Sequence, residues 1–189
     1  DLVVGNFDGS GGTFTQTGGS VAVNSVPFGT YINNGTYDLQ AGSFTAAGNV
    51  TVGDVAGGAF FTQEGGTSQV ANNLVVGNNT GVTGEYDLTG GSLSVGGFTF
   101  VGANGNGTFL NDNASHTTGN LVVAQNTGSN GTYTLQNGGQ LHVTGFADIA
   151  ESGTGTFTQT GGNSTFDGAF DIGRSAGGKG TANLSGGTK

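Results

Sequence analysis

One feature constrains this chain more than any other: it repeats itself about every 24 residues from end to end. Leu2-Val3-Val4-Gly5 returns as Leu74-Val75-Val76-Gly77 and Leu121-Val122-Val123-Ala124. Looser copies are Pro27-Phe28-Gly29, Thr51-Val52-Gly53, Phe100-Val101-Gly102, Asp148-Ile149-Ala150 and Asp171-Ile172-Gly173. An aromatic column keeps the same period: Phe14, Tyr37, Phe61, Tyr86, Phe109, Tyr133 and Phe157, with Ala182 in the eighth place. A short turn follows each, as at Gly65-Gly66 or Gly138-Gly139, and then a third alternating run such as Leu93-Ser94-Val95. Each unit therefore reads strand, loop, strand, tight turn, strand, turn. Three strands per unit, no helical periodicity and glycine at the corners predict an all-β, three-sided, right-handed parallel β-helix: a β-solenoid of eight coils in a single domain over residues 1–189.

The repeat also carries a two-coil superperiod. Strand alternation points each aromatic inward together with the residue two positions later. That residue runs Gln16, Leu39, Gln63, Leu88, Asn111, Leu135, Gln159, Leu184, so that Phe accompanies an amide and Tyr accompanies leucine. On the third strand Ser68, Ser115 and Ser164 are expected inside the amide coils, and Phe44, Leu93 and Leu141 inside the leucine coils. An unpaired buried amide costs about 1–3 kcal/mol, so the inward amides need partners. Corner carbonyls and the neighbouring Tyr hydroxyl are the candidates.

Composition removes several classes of function. With 42 glycines and 33% hydrophobic residues the chain could pass for a disordered one, but 13 Phe, 4 Tyr and many Val and Thr are strand formers. Three basic residues against twelve acidic ones, a net charge of -9, leave no basic stripe for nucleic acid. No apolar run is long enough to be a transmembrane segment. The absence of Cys removes disulfides and thiolate sites.

The pattern L-V-V-G, loop, G-T-[FY]-x-[LQ]-x-G-G resembles the glycine-rich strand repeats of bacterial autotransporter passenger domains and of PEP-CTERM-type exported proteins. The identical octets Gly12–Gly19 and Gly155–Gly162 carry the likeness most clearly. The resemblance covers essentially the whole chain. It implies export to the cell surface or extracellular space, and a structural or adhesive role.

Asp148 and Asp171 are expected at equivalent outward positions with Arg174 just beyond, which reads as an edge salt bridge rather than a catalytic pair. Glu85 and Asp87 share an outward face as solvated acids. His116 and His142 are expected to point outward on neighbouring coils with no carboxylate placed to complete a metal site. Asp8 and Asp54 offer loop oxygens to calcium, but the signature G-G-x-G-x-D is missing. No catalytic residue, cofactor or metal site is therefore expected. Outward threonines such as Thr13, Thr15, Thr132 and Thr134 suggest an ice-binding face, which Asp38, Phe60, Glu85, Asp87 and Leu110 interrupt.

Val3, Val75, Phe100 and Val122 form a partly apolar outward row, read as an association face. Neither end shows a polar capping segment, so the chain is expected to belong to a longer rod or to stack end to end. The function expected is thus a structural, self-associating element of an extracellular filament, matrix or stalk. The alternatives are a β-helix that binds or cleaves surface polysaccharide, and an ice-binding solenoid.

Overall fold

A computed structural model describes residues 1–6, 10–26, 29–55 and 57–188. Asp8, Pro27 and Phe28, which enter the expectations above, lie outside them. Among the described residues there are strands and no helix, and the strands stack in parallel as a β-solenoid of about 7 turns. Eight second strands, from Thr13–Gln16 to Lys179–Leu184, form one sheet in strict chain order. Eight rungs enclose seven turns, which reconciles the eight repeats with the turn count.

The first and third strands belong to one 13-stranded sheet, because coils 4 and 5 run through the corner between them without a break. Their strands are Ser92–Val101 and Ser115–Val123. Register slips here: Val95 pairs with Thr118, but Phe98 pairs with Asn120. Gly96-Gly97 in coil 4 therefore opposes the single Gly119 of coil 5, a β-bulge.

The aromatics stand in one column, each in ladder register with the next from Phe14 to Ala182. Consecutive rings from Phe14 to Phe157 lie 4.6 to 5.5 Å apart between centroids. That matches the ~4.8 Å rise of stacked strands, so ring stacking and backbone pairing reinforce each other. The second inward column aligns as Gln16, Leu39, Gln63, Leu88, Asn111, Leu135, Gln159 and Leu184. Its members are buried except Leu184, which is 39% exposed because no further coil covers it.

The first strand of coil 2 is Thr30–Ile32, with Val4 opposite Ile32, rather than the stretch ending at Gly29. Six residues separate it from the preceding strand at Val23, where the corners after coils 2, 3, 6 and 7 use three, and the longer spacing shifts the repeat there. The residue closing the first strand of coil 2 is consequently Asn33, which is fully buried with neither side-chain amide atom hydrogen-bonded.

Candidate functional site

The polar interior comes first, because it decides which groups remain free to act. Gln16 Nε2 donates to the carbonyl of Ser43, and Gln63 Nε2 to that of Ser92, each at 3.0 Å. Tyr37 donates its hydroxyl proton to Gln16 Oε1 at 2.6 Å, and Tyr86 does the same to Gln63 Oε1 at 2.8 Å. Leucine coils 2 and 4 thus reach back to satisfy the amide of the coil before them. Burial pushes the Tyr37 and Tyr86 phenols well above their ordinary range. In coil 7, where Ala182 follows instead of Tyr, Ser164 donates to Gln159 Oε1 at 2.7 Å.

Coil 5 solves the same problem differently, and here the sequence expectation fails. His116, not Ser115, points inward: it pairs with Leu93 and Leu141 and is fully buried. The cue was a spacing. The inward third-strand residue follows the ring by seven positions in coil 5 as in coils 3, 4 and 7, so position rather than residue type decides which side chain enters the core. A one-residue slip exchanges the two faces of a strand.

His116 stacks on Phe109 at 4.8 Å, with Nδ1 2.9 Å from the Tyr133 hydroxyl and Nε2 3.2 Å from Thr99 Oγ1. Thr118 donates to the carbonyl of Asn120, and Thr99 donates to Thr118. Thr99 has then spent its single proton and must accept from His116 Nε2–H, while Nδ1 accepts from Tyr133. The ring is a neutral imidazole, and burial lowers its pKa to about 3.

His142 does face outward, half-buried, and Asp167 of the next coil lies 3.0 Å away. The two histidines therefore occupy opposite sides of the wall and cannot share a metal. Among the described residues no group of three or more His, Cys, Asp or Glu side chains is placed to hold one. Asp54 Oδ1 accepts from the side-chain amides of Asn78 and Asn79, at 2.6 and 3.0 Å.

On the outer surface of the first strands, Asp148 and Asp171 are ladder neighbours as the repeat predicts. Asp148 is almost wholly buried, however, and accepts from Arg174 at 2.6 Å, while its Oδ1 has no partner. Arg174 also lies over the Phe146 ring, 5.4 Å from its centroid. The hydrogen bond to Asp148, then the charge of Asp148 and those of Glu151 and Asp171, raises the guanidinium pKa above its ordinary value. Glu85 and Asp87 are half-buried on the second face, and burial first, then Asp87, raises the Glu85 carboxyl.

The expected association row is only partly exposed. Val3 is 42% exposed, Val75 and Phe100 are half-buried, and Val122 is 2% exposed. Val122 does not belong to a free surface, because it sits in the ladder between Phe100 and the Asp148–Arg174 pair. In its place the bulge supplies an aromatic cluster that the repeat could not announce. Phe98 stacks on Phe100 at 5.1 Å and meets Phe146 edge-on at 5.9 Å.

The fold defines the chain as a parallel β-solenoid repeat protein. Compared with family models, curated proteins and solved structures, it finds no match.

Proposed function

We propose that the chain is a structural element of an extracellular bacterial filament, matrix or surface stalk, without catalytic activity, that associates with further copies of itself. The observation that supports this best is the interior. Its regular polar groups answer one another along the axis, Gln16 with Tyr37 and Gln63 with Tyr86, so they brace the stack rather than converge on a cleft. A solenoid of this kind gains stability from each added coil. The amide–leucine alternation lets another coil of the same type continue it. Lateral contact would use the outward apolar side chains of Val3, Val75, Phe98 and Phe100, at ~25 cal/mol per Å2 of apolar surface removed from water.

Sedimentation and negative-stain microscopy over a range of concentrations test the proposal. Association that rises with concentration and weakens about tenfold in Val75→Asp and Phe100→Asp is expected. Discrete monomers at high concentration, with neither substitution changing anything, would overturn it.

A further inference from the structure

The corner between the third and first faces opens into a groove over coils 2 to 5. Side chains there are small where other columns carry bulk: Ala71 and Gly96 lie on the floor, with Thr45, Gln69 and Ser94 along one side. The cavity they frame has a volume of about 360 Å3. A second recess of about 590 Å3 shares Ala71 and Gly96 and ends against Phe98. Both volumes fall in the range of small-ligand clefts. The bulge at Gly96-Gly97 shifts the register just ahead of Phe98, and bulges commonly re-aim a side chain in this way.

We propose that this corner binds an uncharged polysaccharide strand lying along the solenoid axis, with Phe98 as its stacking platform. Three features select that occupant. The lining is made of amides, hydroxyls, small apolar groups and one ring, with no charged side chain among the described residues. In a chain of net charge -9 such a neutral groove suits a neutral ligand and disfavours a polyanion. Neutral sugars present hydroxyl edges and C–H faces, which hydrogen-bond to Gln69 and Ser94 and lie flat on an aromatic ring. Finally, Thr45, Gln69 and Ser94 occupy one ladder column, one residue per coil, so the wall repeats about every 4.8 Å along the axis. That periodicity fits a linear polymer of repeated units. An extended peptide is a poorer occupant, since the strands at this corner are paired on both sides and leave no edge to extend.

The test is retention of the whole chain on insoluble neutral polysaccharides (β-glucan, chitin, starch), with soluble neutral oligomers titrated by calorimetry and a polyuronate as the acidic comparison. Retention on at least one neutral polymer is expected, with none on the polyuronate. Phe98→Ala and the groove-filling Ala71→Arg should each weaken it tenfold or more. Thr134→Ala on the second face should leave it unchanged, with circular dichroism reporting the fold of every variant. Lack of retention on all neutral polymers overturns the proposal, as does retention that folded Phe98→Ala and Ala71→Arg leave intact. If Phe98→Ala alters sedimentation but not polysaccharide retention, the corner is a protein interface and the proposal also falls. Because Phe98 also lies on the proposed lateral surface, Ala71→Arg separates the two readings: it should weaken retention while leaving sedimentation as in the natural chain.

Discussion

Tyr133 gives its hydroxyl proton to an imidazole, where Tyr37 and Tyr86 give theirs to a glutamine. The exchange is compensated within one coil: Asn111 is one methylene shorter than glutamine, its Oδ1 has no partner, and His116 is larger than the serine found in coils 3 and 7. His116→Ser alone should cost about 1–3 kcal/mol, because it strands the Tyr133 hydroxyl. Asn111→Gln together with His116→Ser should recover much of that loss by restoring the arrangement of coil 3. Thermal midpoints at pH 7 check both. The same residue sets a pH dependence. The folded pKa of about 3 lies below the unfolded value of about 6.5, so the unfolded chain takes up the proton first. Its contribution is whole above pH 6.5 and shrinks as pH falls toward 3, by about 1.4 kcal/mol per pH unit. The double variant should therefore lose less stability than the natural chain between pH 6.5 and pH 4; equal losses would assign the acid sensitivity to the carboxylates.

At the scale of the strand and its corner, the residue closing the first strand takes a left-handed backbone in every coil but the second, where Asn34 rather than Asn33 does so. Gly77 has φ 74°, while Ala124 and Ala150 hold φ 61° and 66° in the equivalent place. A side chain at Gly77 would also meet the carbonyl of Asn106. Gly77→Ala should lower stability by about 2 kcal/mol or more, whereas Ala124→Gly should change it by less than about 1 kcal/mol in either direction, as strain relief offsets added chain entropy. Chemical denaturation of the two variants measures the contrast. The same elements show what the sequence could disclose. Strand period and corner glycines gave the three faces and both interior columns, because a buried column leaves the same residue type at every turn. The polar relay was legible in outline, since a buried amide must find a donor. Phe98 was not, because a bulge breaks the count on which such reasoning depends. Val122 and Asp148 are buried by neighbours from coils 5 to 8, which no alternation along their own strands reveals.

Over the whole molecule, each coil touches only its neighbours, and the described ends are the least covered: Val3, Ile172 and Leu184 are each about two-fifths to one-half exposed. Hydrogen exchange of the 189-residue chain should accordingly run from the ends inward, with the amides of Tyr86, Phe109 and Tyr133 the slowest. Phe109→Ala should cost about 3–5 kcal/mol and divide unfolding into two steps, while Leu184→Ala should cost well under half of that. Uniform exchange along the axis would contradict this. The backward reach of Tyr37 and Tyr86 to the preceding glutamines has a last consequence, for how such a rod can change length in evolution. Among coils 1 to 4, deleting one coil would set two amide layers or two tyrosine layers side by side and leave a donor or an acceptor orphaned, whereas deleting an adjacent pair keeps the remaining glutamine–tyrosine pairing. Length is therefore subject to a parity rule: viable relatives should differ by even numbers of coils, in steps of about 10 Å.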